Sequence, residues 1–256
     1  LPVTAQAFSS RRLDGSPNVL LAVAVEGSEI GMMLTPDGER RISLDLHSIA
    51  LEGTQQIDEA HEQLIARSTD EGHFEAVNDK PVTPRLVGYL AYQHEWTLGP
   101  ATYTFNVAVV DNVTGRVGAT SVEIEVPPYT DEDEWGISDP LLVTVDDAGR
   151  VHPVVLGRFV PGDNVVALVE VYGGQRPILS GQVFLETAGP DKGKQGARLF
   201  PLAMRPTVGG VHRGMVPLPA GMPPGRYFVQ LVITDPPIDE HKIVRLPIEV
   251  VAAPIR

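Results

Sequence analysis

The chain has 256 residues, 43% of them hydrophobic and 21% charged, with no Cys and a net charge of −13. Disulfides, thiol catalysis and thiolate metal sites are therefore excluded, and the acidity argues against nucleic acid, which needs a basic footprint. The 25 Gly and 23 Pro residues lie between short apolar runs without a collagen period, as turns of an all-β protein do.

Taken in order, residues 3–8 read as a first short strand, and Leu13, Asp14, Gly15, Ser16 and Pro17 as a turn. Residues 19–26 (VLLAVAVE) form a continuous apolar run, as expected of a central strand rather than an edge. Residues 30–34 are a further apolar run, closed by the Pro36-Asp37-Gly38 turn. Residues 42–51 alternate, with Ile42, Leu44 and Leu46 on one face and Ser43, Asp45 and His47 on the other. Residues 57–67 (IDEAHEQLIAR) carry two readings: Ile57, Ala60, His61, Leu64 and Ile65 fit helical spacing, while a neighbouring strand can override that preference. The strand is taken. A polar loop is expected at 69–83, a long strand at 86–96, and two strands at 98–111 and 122–126 around an Asp/Asn/Gly turn at 111–116.

Pro127 and Pro128 stop the last of these strands, since Pro cannot donate to a ladder. An acidic linker follows and strand sequence resumes at Leu141. Residues 1–127 hold 8 basic and 18 acidic side chains, or −10; 128–140 adds −5, and the rest is near +2. The second half repeats the plan of the first. NVVALVEVYG (164–173) parallels NVLLAVAVEG (18–27), and MPPGRYFVQLVITD (222–235) parallels LGPATYTFNVAVVD (98–111). Tyr103 and Asp111 share the spacing of Tyr227 and Asp235, and VEIEV (122–126) matches LPIEV (246–250) at the same offset.

A repeat held over two strands and a turn means two similar domains. The expected fold is all-β: two tandem immunoglobulin/fibronectin-III-like β-sandwiches at 1–127 and 141–256, joined by an acidic linker at 128–140. Tyr103 and Tyr227 open the penultimate strand of each. There a ring can bury while its hydroxyl bonds loop backbone, a structural role.

The opening PVTAQAF, the NVLLAVAVEG strand and the LGPATYTFNVAVVDNVTGRVGATSVEIEVP block resemble the C-terminal region of bacterial, acidobacterial-type von Willebrand factor A-related proteins. Thr114-Gly115-Arg116-Val117-Gly118 and Val126-Pro127 match that family's turn and ending, and RFVPGDNVVALVEVY and PPGRYFVQLVITD resemble its next module. The likeness spans nearly all of the chain and rests on turn and strand signatures. It implies an exported bacterial protein, extracellular, periplasmic or at the cell surface, with β-sandwich modules behind a binding domain. The chain is accordingly expected to be part of a longer or processed protein. The family's D-x-S-x-S adhesion motif finds only Asp14-Gly15-Ser16-Pro17-Asn18, which lacks the final Ser. No adhesion function is carried over.

Residues that could carry chemistry are few. The seven His residues show no ligand spacing, no G-x-S-x-G elbow occurs, and no Gly-rich phosphate loop precedes a helix. Asp131, Glu132, Asp133 and Glu134 could hold Ca²⁺ and stiffen the linker, though they lack the alternating spacing of a calcium loop. Asn112-Val113-Thr114 fits a glycosylation sequon, read as accidental in a bacterial protein. Trp135 is placed either between the domains or as a sugar-stacking face. The expectation is a non-enzymatic spacer or interaction module without cofactors or a transmembrane segment. It would meet protein partners, or other domains of a longer precursor, through tips at Asn112, Arg116, Trp135, Asp239 and His241. A glycan-binding module, with or without Ca²⁺, is the alternative.

Overall fold

The computed structural model describes residues 1–12, 15–68, 74–76, 89–129, 135–145, 151–172, 178–186, 195–207 and 211–252. Among them the regular structure is β-strand with two short 3-10 turns and no α-helix, so no helix is long and apolar enough to cross a membrane. The chain divides into two compact units, one of Leu1–Ser9 and Pro17–Pro128, the other of Ser10–Ser16 and Tyr129–Arg256.

The first unit contains β1 (Val3–Arg11), whose last two residues group with the second unit, then β2 (Pro17–Glu26), β3 (Met33–Leu34) and β4 (Arg40–Glu52). It continues with β5 (Gln55–Ser68), β6 (Phe74–Ala76), β7 (Tyr89–Trp96), β8 (Ala101–Asp111) and β9 (Val117–Val126). One sheet has the order β1-β2-β7 and the other β6-β5-β4-β8-β9, with β3 added to the start of β4. Val19 and residues 21–25 of the apolar run are buried, as suits β2 as the middle strand of its sheet. In β4 the alternation works as a switch between faces: Ile42, Leu44, Leu46 and Ala50 are buried while His47 is exposed. The stretch with two readings is strand β5, paired along its length with β4. Its helical preference is overridden by a fourteen-residue strand that places Leu64 and Ala66 in the core.

The second unit contains β10 (Gly136–Ile137), β11 (Leu141–Val145), β12 (Val151–Pro153), β13 (Arg158–Phe159), β14 (Val165–Tyr172) and β15 (Ile178–Glu186). β16 (Gln195–Ala203), β17 (Arg205–Pro206), β18 (Val211–Val216), β19 (Gly225–Asp235) and β20 (Glu240–Val250) complete it. Its sheets run β12-β11-β14-β18-β17 and β13-β20-β19-β15-β16. The orders β5-β4-β8-β9 and β16-β15-β19-β20 are equivalent, as are β1-β2-β7 and β11-β14-β18, so the internal repeat extends to topology. The two-sheet arrangement gives the molecule its β-sandwich character.

Two stretches gain detail from the structure. The apolar run at 30–34 is mostly not strand: a 3-10 turn at Gly27–Glu29 precedes it, and only Met33 and Leu34 pair with β4. The region 128–140 is not all linker either, because Gly136 and Ile137 pair with Tyr172 and Val171 of β14. A β-carbon at Gly136 would meet the Tyr172 ring, which would have to move aside.

Candidate functional site

The repeated tyrosines anchor both closing hairpins in the same way. Tyr103 donates its hydroxyl to the Gly99 carbonyl at 2.9 Å, and Tyr227 donates to the Pro223 carbonyl at 2.7 Å. Both acceptors lie four residues upstream and both rings are buried. Burial, with the Glu52 charge second, pushes the Tyr103 phenol above its ordinary range, so it stays a donor. These residues hold the loops that enter β8 and β19.

The far end of the first hairpin is built around Asp111, which is fully buried. Its Oδ2 accepts from the Gly31 amide at 2.7 Å and the Thr114 hydroxyl at 2.6 Å, and its Oδ1 from the Val113 amide at 2.9 Å. Burial pushes this carboxyl up, but the Thr114 hydroxyl and the Gly31, Val113 and Thr114 amides outweigh that and hold it below the ordinary value. Gly115 closes the turn in the left-handed region at φ 72°.

Arg116 then reaches the preceding loop, donating to the Glu29 carbonyl at 3.0 Å and pairing with its carboxylate at 2.7 Å. Asn112 donates to Ser43 Oγ at 3.2 Å. Two expected tip residues, Asn112 and Arg116, thus fasten the turn to its surroundings. Beside these polar residues the tip also offers large apolar side chains to solvent. Met32, Met33 and Leu34 are exposed by 46%, 47% and 70%, directly after the Gly31 that this cage holds. Val113 and Val117 are exposed in the same hairpin. The sequence shows 30–34 only as an apolar run and does not mark it as facing outward. Its signal was three large apolar residues in a row just before a Pro-Asp-Gly turn.

The second tip is made differently. Asp235 is again fully buried, but a 3-10 turn at Pro236–Ile238 follows, and Asp239 takes φ 55° with its amide bonded to the Pro236 carbonyl. His241 is exposed beside it. Trp135 lies within the second unit, with the Lys242 ammonium 4.9 Å from its ring centroid and bonded to its carbonyl at 3.1 Å. That cation occupies one face of the ring. Asp131, Glu132, Asp133 and Glu134 lie outside the described residues. Nearby, Glu170 is buried and accepts from both the Arg11 amide at 3.0 Å and the Arg11 side chain at 3.2 Å, the guanidinium also facing the Tyr172 ring.

The outward face of the larger sheet of the first unit carries a shallow groove of about 430 Å³. Ile49, Asn106, Ala108, Ala119 and Ser121 line it, with His47 at its margin. His47 faces His61 across β4 and β5, with ring centroids 4.0 Å apart and planes 13° from parallel. Linear spacing could not show this pair, since its members come from different strands. Toward the core, the Tyr92 hydroxyl is 3.2 Å from His94 Nδ1, which is 3.9 Å from the Glu62 carboxylate. Burial pushes the Tyr92 phenol up to about 12, so it is neutral at physiological pH. Among the described residues no three His, Cys, Asp or Glu side chains gather closely enough to hold a metal.

Compared with known proteins, the chain matches no protein-family model and no curated protein.

Proposed function

We propose that the chain is a non-enzymatic, exported interaction module that binds protein partners, or other domains of a longer precursor, through the tip of its first unit. The observation that carries this reading is the exposed strip Met32, Met33 and Leu34, held in place by the Asp111 cage. Three consecutive large apolar side chains are costly to leave in water, and such strips mark protein docking sites. Methionines suit the role because their flexible thioethers adapt to a partner's surface. Short strand β3, which carries two of the three residues, adds backbone groups that a partner strand could pair with.

The strand orders support two tandem sandwiches. In an immunoglobulin constant domain the strand after C lies in the sheet of the first two strands; here β5 and β16, which follow β4 and β15, pair with them in the sheet of the closing hairpin. That favours the fibronectin-III-like form of the expected fold. The resemblance to von Willebrand factor A-related proteins is consistent with export and with a position behind a binding domain. The glycan alternative has less behind it: the described lining of the groove holds no Trp or Tyr, and Lys242 already occupies one face of the Trp135 ring.

Purification from the source cells tests the reading. A partner chain should co-migrate with the wild type and be lost when Met32, Met33 and Leu34 are all changed to Ser. A lone monomer retained on polysaccharide would overturn it in favour of a glycan-binding module.

A further inference from the structure

We infer that His47 and His61 form a surface site for a borderline divalent transition cation, of the class of Zn²⁺ or Cu²⁺, independent of the partner-binding tip. The argument starts from the β4–β5 hairpin. Its turn is Gly53-Thr54, with Gly53 at φ 58°, and Glu52 faces Gln55 across it. Continued without a break, that register would set His47 opposite Ala60 and turn His61 toward the core, because a slip of one residue flips every side chain. An irregularity between Ala50 and Leu51 shifts the pairing by one. His47 then faces His61 directly, and both imidazoles emerge on the solvent side.

Directly opposed residues in an antiparallel pair have β-carbons about 4.5–5.5 Å apart. Two imidazoles on such a base can each turn one nitrogen toward a common point about 2.0–2.1 Å away, the distance zinc requires. Both rings are exposed and already face one another at 4.0 Å, so only side-chain torsions need change. Imidazole is a ligand suited to Zn²⁺ and Cu²⁺. Asp45 and Glu59 lie two residues before each His, on the same face by the alternation of their strands. They add negative potential that attracts a cation to this face. With two protein ligands, the remaining coordination positions open toward water and the groove lined by Asn106, Ala108 and Ser121.

The whole chain titrated with Zn²⁺ in a calorimeter should take up one ion, and the same addition should raise its melting temperature. His47→Ala and His61→Ala should each lose the binding heat and the melting shift, while their melting temperatures without metal stay at the wild-type value because both side chains are exposed. Cu²⁺ added to the wild type should give an electron paramagnetic resonance spectrum with coupling to two imidazole nitrogens. Undiminished zinc uptake by both variants would overturn the assignment by placing the site elsewhere. A wild type that takes up no zinc would overturn it outright. Neither outcome bears on the partner-binding tip, which none of these residues touches.

Discussion

The two closing hairpins share their strands and differ at their tips. β8–β9 and β19–β20 begin with the same tyrosine anchor and end on a buried Asp. Beyond that Asp, the first turn is a Gly115 turn bonded to the Asp111 carboxylate, and the second passes through a 3-10 turn. Asp111 accepts from four donors on Gly31, Val113 and Thr114. In the second tip, two prolines and a left-handed Asp239 set the path. Side-chain caging reaches across to the loop before β3, so the first tip extends into a larger surface. The duplication thus preserved the frame and left the tips free to diverge, and the exposed apolar strip Met32, Met33 and Leu34 adjoins the caged one.

The largest expected effect breaks that cage. Asp111→Ala leaves several partly buried donors unmet and should destabilise the first unit by about 3 kcal/mol. The chain's two tryptophans allow the units to be followed apart, since Trp96 lies in the first and Trp135 in the second. In a Trp135→Phe background, the denaturant midpoint read from Trp96 should fall. An unchanged midpoint would show that the cage does not hold the unit together.

Next in size are the anchors. Tyr103→Phe and Tyr227→Phe should each cost about 1 kcal/mol or more by stranding a carbonyl. The losses should be similar, and a loss confined to one variant would break the equivalence of the hairpins.

Acid should test the first tip in a further way. The carboxyl of Asp111 titrates below its ordinary value of 3.8, so its contribution is complete above that value. It is lost as pH falls from the ordinary value through the lower folded one. Asp111→Asn should remove this part of the acid-side slope of the Trp96-reported transition. Retention of the full slope would assign the acid sensitivity to other groups.

The smallest effects concern the left-handed residues. Gly115→Ala should cost about 1 kcal/mol, because an L side chain resists φ 72°. Asp239→Gly should be neutral or stabilising by less than about 1 kcal/mol, since it relieves the same strain. Thermal unfolding distinguishes the two signs.

The parts of this molecule legible in the sequence are those that repeat or alternate. Strand β2 was readable because a continuous apolar run, five of whose positions in a row are buried, needs a neighbour on each side, and the tyrosine hairpins because turn, ring and Asp recur at fixed spacing. Strand β5 was ambiguous because Glu, Gln and Ala favour helix locally, and only pairing with β4 decides against it. The outward strip at Met32, Met33 and Leu34 was hidden because an apolar run reads as buried strand. The fastening role of Asn112 and Arg116 depends on partners 69 and 87 residues away. The His47–His61 pair depends on a one-residue register shift, which no linear motif expresses.

The central claim is that the first tip meets a protein partner. A photo-crosslinking residue placed at position 33 in the source cells tests it most directly, with the same probe at position 241 in the second tip for comparison. The account predicts a discrete protein adduct from position 33 that disappears when Met32 and Leu34 are changed to Ser. No adduct from position 33, or an adduct from position 241 alone, would contradict it.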